Sequence, residues 1–468
     1  MGPDCPNDPL RTYDPTQGYR FDALEAGENN SDALFVCVSF SGGGTRAAAF
    51  AYGVLEGLRN TPIPSRPGAA MFPLLDELDI ISSVSGGSFT AMTYALRHEG
   101  IFDGRFERKF LKRNVQRDLI LSVLHPKYLL RLPLIALDRI DVAAYYYDQQ
   151  IFRRKTYGDL LEAKRRPFVV INATDMTRRH RFAFTQDDFD LLGSRLDTLP
   201  VGWAVAASSA FPLLLSPLRL EYFPGEPMLA AIETVLDAPE HQRTRRHERW
   251  AESLLVDVEA AGARPRVIDA ENHRYMYLLD GGLADNLGAT HFIESYRRGP
   301  LRRRLEAGEI DKLVVIIVDS GTDPPLDLEK SPSAPGLFRV GERTGTTAIF
   351  NYSETLTEII KYALLEASDT LRGAGDTPCP DVQAPSAPRA AAVDTYVIDL
   401  NFRQVTDKKK RGDFLSMIAS FFLLPEDADA LIESGCEVLM QHPDFIRLVE
   451  DLNGRPPDPS VCDRRRGG

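Results

Sequence analysis

The chain has 468 residues, 43% hydrophobic and 26% charged, ordinary values for a protein that buries a sizeable core. Its formal net charge of −12 excludes broad electrostatic binding to a phosphate backbone or to anionic lipid. No nucleic-acid partner is therefore expected, and any membrane contact has to be local and partly apolar. No run of about 18 or more uncharged apolar residues is present, so no transmembrane helix is expected.

Residues 1–30 read as an N-terminal arm without periodicity. Leu34 to Phe40 then forms an apolar run ending in Ser41-Gly42-Gly43-Gly44, as a buried strand entering a tight loop does. Apolar residues at Phe50, Ala51, Val54, Leu55 and Leu58 give Thr45 to Leu58 helical spacing. The pattern repeats: Leu78 to Val84 is strand-like, Ser85-Gly86-Gly87 is a turn, and Phe89 to Arg97 is helix-like. Further strands are expected at Phe168 to Asn172, Tyr275 to Leu279, Leu313 to Val318 and Tyr396 to Leu400. Alternating buried strands and helices predict an α/β fold, a three-layer sandwich with a mainly parallel central sheet.

On this reading residues 31–320 form the catalytic core, and 321–468 form a C-terminal extension packed on it. Within the core, residues 222–272 are charge-rich around Arg243 to Glu252 and read as a surface insertion, with or without helices of its own. Residues 373–391, rich in Gly, Pro and Ala, read as a linker that does not end the domain, since the strand-like Tyr396 to Leu400 follows. Cys37, inside an apolar run, is expected to be a buried free thiol. Cys5, Cys379, Cys436 and Cys462 lie in polar or Pro-rich surroundings and read either as paired in an oxidising compartment or as scattered thiols. Their spacing is not that of a zinc site. The polar segment Met1 to Pro9 lacks a signal-peptide apolar region, which fits a cytoplasmic protein or a chain written without its export signal.

Three motifs carry chemistry. Ser83-Val84-Ser85-Gly86-Gly87 sits between a strand and a helix, where a sharp turn exposes a nucleophilic serine and small neighbours let strand and helix approach. Ser83 replaces the glycine usual two positions before the serine. Ser41-Gly42-Gly43-Gly44-Thr45-Arg46 also joins a strand to a helix, and its glycines leave backbone N–H groups unobstructed. A Walker loop needs G-K-[S/T], which is absent, so an oxyanion hole is the better reading. Arg46 would add positive charge near an oxyanion or a head-group phosphate, or serve in a structural salt bridge. Asp280-Gly281-Gly282 follows a strand and places a carboxylate at its tip. None of the eight histidines completes a triad; His291 alone lies near a motif, and a structural role is expected for it. Asp280 would then accept the Ser85 proton directly.

These motifs, in this order, resemble the patatin-like phospholipase family: a Gly-rich oxyanion loop with an arginine, then G-x-S-x-G, then D-G-G/A. The segments Trp203 to Pro212 and Asn172 to Asp175 resemble two further stretches of that family, so that the likeness spans roughly residues 33–320. The resemblance implies a Ser85–Asp280 dyad, an oxyanion hole at Gly42, Gly43, Gly44 and Arg46, and hydrolysis of acyl esters in phospholipids or lysophospholipids. It implies no metal and no organic cofactor. A catalytically silent lipid-binding protein, an acyl transferase and a general esterase are the alternatives.

Leu119 to Leu137 and Phe414 to Leu424 combine apolar with basic residues, and read either as segments that line the acyl route at a membrane or as core helices. The expected compartment is the cell envelope or periplasm of a bacterium, from the resemblance and the four outlying cysteines. The alternative is the cytoplasm.

Overall fold

The computed structural model describes residues 6–64, 70–124, 139–212, 214–239, 243–257, 266–323, 347, 349–363, 393–455 and 458–464. The apolar runs become strands: β1 (Leu34–Phe40), β2 (Leu78–Val84), β3 (Phe168–Asp175), β4 (His180–Ala183), β5 (Leu218–Glu221), β6 (Tyr275–Asp280), β7 (Lys312–Asp319) and β8 (Asp394–Asn401). They form one eight-stranded sheet in the order β8-β7-β1-β2-β3-β6-β5, with β4 paired to β3 off this path. The five strands from β8 to β3 are parallel. The remaining pairings, β6 with β3 and β5 and β4 with β3, are antiparallel. Every residue of β1, β2 and β3 is buried, as strands covered on both faces require.

The helices used below are α1 (Thr45–Arg59), α2 (Gly86–Arg97), α3 (Val115–Leu124), α4 (Arg139–Gln150), α5 (Val201–Ser208), α6 (Glu226–Asp237), α7 (Arg245–Ser253), α8 (Thr290–Arg298), α9 (Pro300–Ala307), α10 (Lys408–Leu415), α11 (Pro425–Gln441) and α12 (Pro443–Asp451). One face of β1 meets α2, where a Cβ on Gly87 would lie 2.6 Å from the Phe40 Cβ. The other face carries Phe35, whose ring centroid is 5.5 Å from that of Phe21. Arg304 of α9 in turn lies 5.1 Å over the Phe21 ring. The sheet is thus the middle layer of three.

The last third of the chain is built into this core. Strand β8 pairs with β7 from Lys312–Asp394 to Asp319–Asn401. Helix α11 packs flush on α1, where a Cβ on Gly53 would lie 2.0 Å from the Ile432 carbonyl oxygen. The N-terminal arm also differs from its sequence reading. Tyr19, Phe21 and Leu24 are buried, and the Tyr19 hydroxyl accepts from the Val169 N–H at 2.9 Å. A few isolated aromatic anchors do this, and they leave no periodic signature.

Residues 222–272 are not merely a surface insertion. Within them α7 buries Trp250 completely, and Arg246 pairs with Asp188 at 2.7 and 2.8 Å. Charge-rich composition hides this, because a buried arginine with a carboxylate partner looks like a solvated one in sequence. Cys436 and Cys462 form a disulfide, and Cys37 is a buried free thiol. Cys5, Cys379, the 373–391 linker and residues 125–137 of the first apolar segment lie outside the described residues.

Candidate active site

Strand β2 ends in the turn that carries Ser85, whose backbone adopts φ 48°, a left-handed value costly for a residue with a Cβ. What holds it is mutual burial of backbone. A Cβ on Gly86 would lie 1.9 Å from the Gly44 carbonyl oxygen, so only glycine lets the elbow touch the upstream loop. The Ser85 N–H donates to the Ser208 Oγ at 2.8 Å, and the Ser208 and Ser88 hydroxyls are 3.1 Å apart. Ser83, the departure from glycine, is buried with its hydroxyl 3.5 Å from the Val170 carbonyl oxygen, so the turn forms without glycine there.

Asp280 ends β6 and reaches the same point. Its carbonyl oxygen accepts from the Thr174 hydroxyl at 2.8 Å, and the Gly281 N–H donates to the Ser208 carbonyl at 3.1 Å. The carboxylate accepts from the Gly282 N–H at 2.8 Å. Burial raises its pKa to about 7, against the lowering effect of the Gly282 N–H and of hydrogen bonding by the Ser85 side chain. A group poised there is a base near neutral pH. Ser85 and Asp280 are 7% and 6% exposed, so the pair is nearly closed off from water.

The glycine loop lies against both. The Gly42 N–H is committed to the Asn286 carbonyl at 2.9 Å, and a Cβ on Gly42 would come within 3.4 Å of the Ser85 Cβ. Among the described residues no acceptor takes the N–H of Gly43 or Gly44, which makes these the loop's open donors. Arg46 is buried and bonds backbone: Nε donates to the Ser320 carbonyl at 3.2 Å and Nη1 to the Met417 carbonyl at 2.9 Å. Burial lowers its pKa to about 10, so it stays cationic at neutral pH.

Among the described residues no histidine hydrogen-bonds Ser85 or Asp280. His291 sits among Arg181, Glu294 and Arg246, and burial pulls its pKa down to about 3. Also among the described residues, no group of three or more His, Cys, Asp or Glu side chains is placed to hold a metal ion. The structure therefore brings Ser85, Asp280 and the glycine loop to one point.

It adds residues the sequence did not single out. Ser208 ties the elbow to the Asp280 strand. Asn286 anchors Gly42. Asn172 donates to Ser82 Oγ at 2.9 Å and to the Ser83 carbonyl at 3.0 Å, and accepts from Arg181 at 2.8 Å. Ser208 and Asn172 lie in segments already visible as family-like, which was the available signal.

A family model described as patatin-like phospholipase matches residues 38–293, more than half of the chain and all of the motifs above. The chain belongs to the patatin-like phospholipase family. No curated protein matches it. Among solved structures, human GIVD cytosolic phospholipase A2 is similar at 14% identity and a TM-score of 0.44, over 90% of this chain and 60% of that one. This patatin-like chain thus spans about 60% of the human protein's length. VipD from Legionella pneumophila is similar at 12% identity and a TM-score of 0.32, over 92% of this chain and 70% of that one.

Proposed function

We propose that the protein hydrolyses acyl esters of phospholipids or lysophospholipids through a Ser85–Asp280 dyad. The observation that carries this reading is the shared position of the Ser85 elbow, the buried Asp280 carboxylate with its pKa near 7, and the open Gly43 and Gly44 donors. Ser85 Oγ attacks the ester carbonyl carbon as its proton passes to Asp280. The Gly43 and Gly44 N–H groups hold the oxyanion of the tetrahedral intermediate, each donor worth about 10²–10³ in rate. Asp280 returns the proton to the leaving alcohol oxygen, and the acyl chain stays on Ser85. Asp280 then takes a proton from water, which attacks the acyl-enzyme; release of the fatty acid restores the Ser85 hydroxyl. On this reading Gly42 and Arg46 position the loop, Gly42 through its N–H on the Asn286 carbonyl and Arg46 through its bonds to the Ser320 and Met417 carbonyls.

The substrate requires contact with a lipid surface. Among the described residues no helix is long and apolar enough to cross a membrane, so that contact is peripheral on this reading. The Cys436–Cys462 disulfide supports an oxidising compartment, for which a bacterial cell envelope or periplasm is the proposed location.

The test is labelling by a fluorophosphonate probe together with fatty-acid release from labelled phospholipid and lysophospholipid. Ser85→Ala is expected to abolish both, and Asp280→Asn to reduce both by at least about 10³-fold. Folded wild-type protein that neither labels nor releases fatty acid would be a silent lipid binder instead.

A further inference from the structure

The two segments singled out as apolar and basic meet beside the glycine loop. The Gln116 N–H at the start of α3 donates to the Phe421 carbonyl at 3.1 Å, and the Phe421 ring packs inward, 5.8 Å from Phe89. Their outer sides face water. Ile418 is 84% exposed and Ile120 54%, with Leu121, Phe422 and Leu424 also exposed. Single exposed apolar residues are ordinary; several on two joined segments are not.

The chain nearby is rich in cations. Residues 108–117 hold five basic residues within a protein of net charge −12; Lys112 pairs with Glu107 and Asp429 and Arg113 with Asp118, while Arg108, Lys109 and Arg117 make no ion pair among the described residues. Arg117 lies one turn from Ile120 and Leu121, and has no ion-pair partner among the described residues. Hydrocarbon-seeking side chains beside an unpaired cation match a lipid surface carrying anionic headgroups.

The inner edge of the same segment holds the catalytic loop. The Thr45 N–H donates to the Ser420 carbonyl at 2.8 Å, Arg46 donates to the Met417 carbonyl at 2.9 Å, and a Cβ on Gly44 would lie 2.3 Å from the Ser420 carbonyl oxygen. Residues 416–424 form no helix; these bonds, with Met417, Phe421 and Leu423 packed on the core, fix their path. Ser85 is 7% exposed, so an ester has to approach it closely along the loop that this segment holds.

We infer that the face of Ile120, Leu121, Ile418 and Phe422, with Arg117 beside it, docks on an anionic lipid surface, and that residues 416–424 pass this docking to the Gly43–Gly44 oxyanion loop. The inference rests on the hydrolase reading for its second half; docking itself is independent of catalysis.

The experiment uses the full chain and vesicles of ether-linked phosphatidylglycerol and phosphatidylcholine, which carry no hydrolysable ester. Flotation should show binding to the mixed vesicles and at least about tenfold weaker binding by Ile418→Asp/Phe422→Asp. Labelling of Ser85 by a soluble fluorophosphonate should accelerate at least about fivefold when the mixed vesicles are added to wild type, but not when pure phosphatidylcholine is added. Unchanged flotation by the folded double variant, or equal binding to both vesicle types, overturns the docking face. Docking without acceleration of labelling overturns the coupling. If the double variant does not fold, Arg117→Glu serves in its place, and unchanged flotation on mixed vesicles by that variant overturns the face. Wild type that floats but never labels sinks the hydrolase reading and leaves the docking face standing.

Discussion

Asp280 is a carboxylate kept near neutrality by burial, and that has consequences of opposite sign for rate and for stability. It acts as a base only when ionised, so kcat/KM should rise about tenfold per pH unit below pH 7 and level off above it. A pH profile on a soluble ester checks this; a limb centred near 4, the ordinary aspartate range, would contradict it. For stability, the folded state binds the Asp280 proton more tightly than the unfolded chain does. Its favourable contribution is therefore complete below about pH 4 and is lost as pH rises through about 7. Asp280→Asn should accordingly stabilise the protein at pH 8, by up to about 4 kcal/mol, and not at pH 4. Urea titrations at the two pH values measure the difference. A destabilised variant at pH 8 would mean that the carboxylate is structural. Ser85 shows the same tension in its backbone, a left-handed conformation that the Ser208 hydroxyl and the Gly44–Gly86 contact hold in place.

Among the helices, glycine serves different ends according to what its missing Cβ would strike. A Cβ on Gly53 of α1 would lie 2.0 Å from the Ile432 carbonyl oxygen of α11, so Gly53→Ala forces α1 and α11 apart. The expected cost is at least about 2 kcal/mol in urea unfolding. Gly412 in α10 has nothing within 4 Å, so Gly412→Ala should stabilise by about 0.5–1 kcal/mol through helix propensity alone. The two substitutions are chemically identical and should differ in sign; equal effects would disprove the close α1–α11 packing. Strands β1, β2, β3, β7 and β8 were legible as elements because largely buried strands are nearly continuous apolar runs, and β6, exposed at Tyr277, was legible from the apolar and aromatic run Tyr275 to Leu279. Strands β4 and β5 were not, since each has four residues and begins beside charged neighbours. The N-terminal arm was read as such, but its anchoring left no mark for a related reason. Its hold on the core is a set of single side chains.

For the whole molecule, the C-terminal third closes the structure back onto the catalytic core. The Cys436–Cys462 bridge holds the tail so that Arg464 reaches Glu107 at 2.6 Å, Glu56 of α1 at 3.2 Å and Asp429 of α11 at 3.5 Å. Closing this loop should contribute about 3 kcal/mol. Cys436→Ser/Cys462→Ser is thus expected to lower the midpoint of thermal unfolding while fluorophosphonate labelling of Ser85 persists below it. Loss of labelling in a folded variant would tie the bridge to the site instead. A chain of Asn172, Arg181, Glu294, Arg246 and Asp188, buried except at the partly exposed Glu294, links the elbow to α7. The charge-rich segment around Arg243 to Glu252 thereby gives Trp250 and Arg246 to the core while Arg245, Arg249 and Glu252 face water.

The division between sequence and structure follows the range of the forces involved. Local order in the sequence determined the strand–loop–helix units, the elbow at Ser85, the glycine loop and the strand-end Asp280. Each depends on residues within a few positions of one another, and glycines leave a visible mark where a backbone must be bare. Only the tertiary structure decided which glycine donors stay open, that Arg46 bonds the Ser320 and Met417 carbonyls, and that Ser208 and Asn286 hold the pieces together. Those outcomes depend on hydrogen bonds between segments tens to hundreds of residues apart, and on burial, which raises the Asp280 pKa only once the fold has closed around it.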